Sequence, residues 1–288
     1  MPVIDPENIS VSSLHGYLLG AVTPRPIALA STIDSAGRVN LSPFSFFNCF
    51  GSNPPILVFS PARRVRDNTT KHTHENILEV PEVVIHIVNY DMVQQVSLAS
   101  TEYEKGVNEF VKAGFTEAPS VKVRPPRVNE APVAMECKVR QVIPTGDQGG
   151  AANLIICEVV LMHVSDAILD ENGKIDPVRL DAVARLGGDW YARIGRESLF
   201  KVPKPVGKKG IGIDNIPATI RSSDVLTGND LAQLANVEAI PSLDVAHPVF
   251  LTLGTSLSRE EAARKAKEFI AQGKVAEAWQ VLLRYSAW

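Results

Sequence analysis

At 288 residues, with 45% apolar and 6% aromatic residues and a formal charge of −3, the chain suits one large domain or a core plus an extension. That profile is globular and argues against a polyanion-binding surface, and no apolar run reaches the about 18 residues of a membrane span, so neither nucleic acid nor membrane is an expected partner. Met1-Pro2-Val3-Ile4-Asp5 shows no basic region before an apolar core, so a cytoplasmic location is expected. Cys49, Cys137 and Cys157 form no C-x-x-C pair and are odd in number, which speaks for reduced thiols rather than a disulfide framework or a zinc knuckle.

In chain order, residues 27–33 are β-compatible and run into the turn Asp34-Ser35-Ala36-Gly37, after which a strand is predicted from Arg38 to Leu41. The next segment, Asn40-Leu41-Ser42-Pro43-Phe44-Ser45-Phe46-Phe47-Asn48, alternates small polar groups with aromatics. Together with the hydroxyls of Ser31 and Thr32, that layout suits a flat, amphipathic, phosphate-bearing ligand. Pro54-Pro55 introduces the apolar strand Ile56–Phe59, and the β-branched run Glu82–Asn89 is the clearest strand in the chain. Helices are predicted at Met92–Ala99 and Glu104–Ala113, the second stopped by Gly114. Two long strands, Ala131–Ile143 and Asn153–Val164, flank the turn Gly146–Gly150. Strands without regular βαβ alternation favour an antiparallel barrel over a doubly wound sheet. A Pro-, Gly- and Lys-rich linker follows at Val202–Gly210, then helices at Ser223–Ala235 and Ser258–Tyr285. Ser258 and Glu261 suit a capping box, and Gly273 divides the last stretch into a hairpin. This extension carries no catalytic cluster and reads as a helical brace or an oligomer contact.

Between Ser60 and Ile77 the chain packs Arg63, Arg64, Arg66 and Lys71 among several hydroxyls. A phosphate needs converging donors, which Arg, Lys and Thr supply, and Thr73 is a plausible N-cap for a helix over His74–Val80. A solvated surface loop is the alternative. His72, His74, His86 and His163 lack the three or four suitably spaced ligands of a metal site and read as structural, with a place near a ligand ring open for His163. Gly187-Gly188 permits close backbone approach, and the adjacent Trp190 and Tyr191 either cover an aromatic ring or pack in the core. No Walker loop, dinucleotide fingerprint or nucleophile elbow is present, so no catalytic side chain is assigned.

Over roughly residues 10–200 these segments resemble the flavin reductase-like family of FMN-binding split-barrel proteins, the group that includes flavoredoxins. The resemblance rests on Thr23-Pro24-Arg25-Pro26, Ser31-Thr32, Gly37, Asn40, Pro43, Ser45-Phe46-Phe47-Asn48 and Pro54-Pro55. It continues through Lys71-His72-Thr73, where the family usually shows Lys-Asp-Thr, through Asn76-Ile77, and through Arg185-Leu186-Gly187-Gly188 with Tyr191. The resemblance implies a mainly β fold with α additions: a six-stranded antiparallel Greek-key split barrel over 1–205 and a helical extension over 206–288. It also implies a homodimer with one FMN per subunit near the dimer interface. By position, Ser31, Thr32 and Ser45–Asn48 would meet the flavin ring and ribityl chain, and Ser60, Arg63, Lys71 and Thr73 its phosphate. Trp190 and Tyr191 would close over the ring. NAD(P)H is the implied electron donor to an unidentified acceptor. Two other readings stay open: a non-enzymatic flavin carrier or sensor, and an interaction protein on a degenerate barrel without cofactor.

Overall fold

The computed structural model describes residues 1–205, 207, 209–251, 253 and 257–285. The chain divides into two compact units, Met1–Leu199 and Phe200–Trp288. Among the described residues no helix is long and apolar enough to cross a membrane.

The first unit is built on seven strands: β1 (Ala28–Ile33), β2 (Val39–Phe44), β3 (Phe47–Ser52), β4 (Pro55–Phe59), β5 (Glu82–Ile87), β6 (Val133–Pro144) and β7 (Asn153–Val164). They hydrogen-bond in the order β2-β1-β5-β6-β7-β4-β3, and every neighbouring pair is antiparallel. The two edge strands, β2 and β3, are consecutive in the chain and joined only by Ser45 and Phe46. Two residues span so little distance that the sheet must curl until its edges meet at that corner. The result is a split barrel.

Six of these strands fall where the sequence indicates, and β3 is the seventh. Asn48, Gly51 and Ser52 have low strand propensity and a register shift separates Cys49 from Gly51, so the strand is held by pairing with β4 rather than by its composition. The strand predicted at Arg38–Leu41 runs instead over Val39–Phe44. Pro43 is tolerated because β2 is an edge, where a missing N–H costs no ladder bond.

Period-two alternation divides the core in two. Ala28 and Ala30 face the barrel interior with Phe59, Val83, Ile85, Ile155 and the buried thiols Cys137 and Cys157. Ile27 and Leu29 face outward, where Leu41, Met92, Val96 and Phe110 form a second cluster beneath α3 (Val93–Ala99) and α4 (Glu109–Ala113). With core on both faces, all six β1 residues are buried. Each fully buried large side chain here stabilises the fold by about 1.5–3 kcal/mol. Helix α4 is shorter than the predicted Glu104–Ala113. Gly106 has φ +90°, outside the helical region, and the helix starts where the Asn108 side chain accepts from Phe110 N–H. Gly114, at φ +71°, ends it as expected.

The second unit packs Ile216, Ile220, Leu234, Ala266, Ile270, Trp279 and Leu282 into a core of its own. Of the predicted linker, Val206 and Lys208 lie outside the described residues, and the rest carries no helix or strand. The helix expected at Ser223–Ala235 spans Gly228–Ala235, because Thr227 and Asp230 form a reciprocal capping box that fixes its start. Ser258 and Glu261 cap Arg259–Ala271 in the same way, and Gly273, at φ +74°, turns the chain into Val275–Tyr285.

Candidate functional site

A cavity of about 420 Å³ opens at the rim of the barrel. One wall is α1 (Val11–Ala21), through Val11, Leu14, His15 and Leu18, and the opposite wall is the loop that follows β4, through Ala62, Arg63, Arg64, Val65, Arg66 and Lys71. Glu102 and Gly150 complete it. The His15 ring lies edge-on to Phe46, with centroids 6.2 Å apart, so the cavity mouth reaches the β2–β3 corner.

Arg25 fixes that corner. Its guanidinium is buried and donates to Leu19 O and Val22 O at the end of α1, each at 2.6 Å, to Leu186 O at 2.8 Å and to Ser45 Oγ at 3.4 Å. A planar fork with five donors suits carbonyls arriving from three directions, and the negative end of a helix favours the cation. Gly187 packs against the backbone of Gly20, so the close approach foreseen for the glycine pair is to α1.

The predicted residues separate into three groups. Arg63 and Lys71 line the cavity, and Phe46 stands at its mouth. Ser45 and Phe47 are half-buried at the corner and Asn48 is exposed. Ser60 is buried, its N–H donating to Phe46 O at 2.9 Å and its Oγ accepting from Asn153 N–H at 3.2 Å, so it binds the 31–48 segment to the 60–73 loop. Both segments therefore lie on one side of the molecule.

The second group is buried, and of it Thr73 also lines a narrow cleft with Arg64, Lys71 and Glu102. Thr32 Oγ1 accepts from Asn76 Nδ2 at 3.2 Å, and Thr73 Oγ1 accepts from Asn40 Nδ2 at 2.9 Å. Ser31 Oγ is fully buried and has no hydrogen-bond partner among the described residues. Helix α2 spans His72–Glu79 with Lys71 at its N-cap, two residues earlier than predicted. Thr73 thus falls inside the first turn with its side chain engaged, and does not cap. The third group, Trp190 and Tyr191, stands apart within one chain. Trp190 is 75% exposed. Tyr191 lines a separate cavity of about 400 Å³ with Tyr90, Arg185 and Arg193, and the Arg185 guanidinium sits 4.6 Å over its ring.

Electrostatics add what the sequence did not mark. Glu102 meets three of the loop's cations, and its hydrogen bonds from Arg64 and Lys71 pull the carboxyl down to about 2. His15 and Glu102 lie in no motif, whereas Arg64 and Arg66 belong to the basic run already noted. His163 pairs with buried Glu136 at 2.7 Å, which gives it a structural partner. Among the described residues no group of three or more His, Cys, Asp or Glu side chains is placed to hold a metal ion.

The family model described as the flavin reductase like domain matches residues 19–179. The chain belongs to the flavin reductase-like family. An uncharacterized protein of Aquifex aeolicus (strain VF5) is 38% identical over 190 residues, 66% of this chain and 94% of that relative. Among solved structures, nitrilotriacetate monooxygenase component B from Bacillus cereus is 29% identical with a TM-score of 0.66, over 70% of this chain and 98% of that one. The 2-nitrobenzoate 2-nitroreductase NbaA of Pseudomonas fluorescens is 28% identical with a TM-score of 0.60, over 70% and 96%. The family match lies wholly inside the first unit.

Proposed function

We propose that the first unit binds FMN in the rim cavity and works as an oxidoreductase, taking hydride from NAD(P)H and passing electrons to an acceptor. The observation that carries this reading is the convergence of Arg63, Arg64 and Lys71 on one cavity of a flavin reductase-like split barrel. Two guanidinium groups and an ammonium are the donor set a phosphate monoester needs, and the cavity is of ligand size. The oxidoreductase names of the two solved relatives support the reaction class.

Bound flavin supplies the electron chemistry, leaving position and electrostatics to the protein. Arg63 is pre-set for its part: its Nε donates to Asn68 Oδ1 at 2.6 Å and its Nη2 to Asn68 O at 2.5 Å, which fixes the guanidinium at the cavity wall. Backbone groups at Ser45–Asn48, held by Arg25 and Ser60, would orient the ring. Thr32 and Thr73 would act from behind, their hydrogen bonds with Asn76 and Asn40 fixing α2 against β1 and β2.

A homodimer fits the same surface. Helix α1 buries none of its residues in one chain, and Val11, Tyr17, Leu18, Phe46 and Phe50 are exposed apolar groups at or beside the rim. A second copy covering them would bring Trp190 and Tyr191 within reach of its partner's ring. Anaerobic mixing of the FMN-loaded protein with NADH or NADPH tests the reading. Rapid bleaching of the flavin's blue absorption band is expected. Reduction by a protein donor alone would identify a carrier instead, and failure to take up FMN would sink the proposal.

A further inference from the structure

Four cations from one loop, Arg63, Arg64, Arg66 and Lys71, line the rim cavity together with a single carboxylate, Glu102. Glu102 comes from a different segment, the turn after α3. Its Oε1 accepts from Arg64 Nε at 2.8 Å and from Lys71 Nζ at 3.1 Å, and its Oε2 accepts from Arg66 Nη2 at 3.1 Å. One small anion thus gathers donors from three cations, the arrangement by which a phosphate is gripped.

Arg63 differs from the other three. Neutral oxygens of Asn68 hold it, and among the described residues it makes no ion pair, so its charge faces the cavity uncompensated. Exposed ion pairs contribute little to folding, so the stability of the barrel gives no reason for three of them to meet beside a ligand cavity. The Glu102 side chain is 42% exposed and that of Lys71 31%, so the pair can separate by side-chain rotation without opening the core.

We propose that Glu102 is an internal counter-ion that occupies the phosphate subsite and is displaced from Arg64 and Lys71 when a phosphorylated flavin binds. This rests on the flavin reading above. A phosphate entering the cavity breaks two charged hydrogen bonds as it makes two, so its net gain is smaller than at a bare cationic pocket. Glu102 then tunes how readily the cofactor exchanges, and its effect acts on the phosphate alone.

The test is titration of the full chain with FMN and with riboflavin, which lacks the phosphate, followed by quenching of flavin fluorescence. Wild type, Glu102→Gln and Glu102→Ala are compared at low salt. Glu102→Ala is expected to bind FMN at least about tenfold more tightly, because the charged hydrogen bonds from Arg64 and Lys71 no longer have to be broken. Glu102→Gln, which keeps a neutral acceptor, is expected to gain by a smaller factor. Riboflavin affinity stays unchanged, so the FMN to riboflavin ratio rises. An unchanged ratio overturns the counter-ion role, and a lowered ratio overturns it in favour of Glu102 as an organiser of the cations. Equal affinities of the wild type for FMN and riboflavin overturn the phosphate assignment itself, a failure distinguishable because it needs no variant.

Discussion

His86 is fully buried on β5, and both ring nitrogens are engaged: Nδ1 lies 2.8 Å from Leu29 O, and Nε2 accepts from Val128 N–H at 2.9 Å. Only the neutral ring with its proton on Nδ1 satisfies both contacts, since an imidazolium would point a second N–H at Val128 N–H. Burial pushes the pKa down to about 4. The unfolded chain titrates near 6.5, so between those values the unfolded state holds more protons and protonation favours unfolding. Stability from this residue is complete above about pH 6.5 and is lost as the pH falls toward 4, by about 3 kcal/mol in all. The melting temperature of the wild type should fall over that window more than that of His86→Asn, whose side chain does not titrate. Parallel declines would clear His86 of the effect. Sequence places this histidine in a strand as a structural residue, yet Val128 lies 42 positions away and nothing local announces the contact. The same limit applies at the cavity. Arg63 and Lys71 are legible because they sit in a basic run, while His15 and Glu102 join them only through folding.

At the scale of elements, the β6–β7 turn clamps the cationic loop. Arg63 N–H donates to Ala151 O at 2.9 Å, Gly150 N–H to Arg63 O at 3.0 Å, and Asn68 Nδ2 to Asp147 O at 2.9 Å. A Cβ on Gly149 would lie 3.0 Å from the carbonyl oxygens of Arg64 and Val65 and 3.1 Å from Val65 Cα. These are backbone atoms, so the loop itself has to move. Gly149→Ala should cost about 1–3 kcal/mol as overpacking and shift Arg64 from the cavity wall. Calorimetric titration is expected to show several-fold weaker FMN binding in the variant, and unaltered affinity would mean that the turn does not set the loop. The turn is readable from Gly146-Asp147-Gln148-Gly149-Gly150, and so are the long strands on either side, which their β-branched residues mark although only part of each is buried. Strand β3 and the shortened α4 are not: tertiary pairing creates the first, and the conformation of one glycine trims the second.

For the molecule as a whole, the apolar clusters divide cleanly between the two units. Those of the barrel draw only on residues up to Val183, and those of the helical unit only on residues from Ile211 onward. Each has its own large anchors, Phe59 and Phe110 in the first and Trp279 in the second, whose indole N–H donates to Leu234 O at 3.1 Å. A unit that completes its own core folds as a cooperative body of its own. The family match ends at residue 179, so the proposed site belongs to the first body. Residues 1–199 alone should therefore bind FMN with the affinity of the full chain. Scanning calorimetry adds a sharper check, because a ligand raises the transition only of the body that binds it, by RT ln(1 + [L]/Kd). The full chain is expected to show two transitions, of which added FMN shifts one and leaves the other in place, and residues 1–199 to show only the shifting one. A single transition that moves as a whole would mean that the helical unit is coupled to the flavin site, and its role would then have to be sought in that coupling.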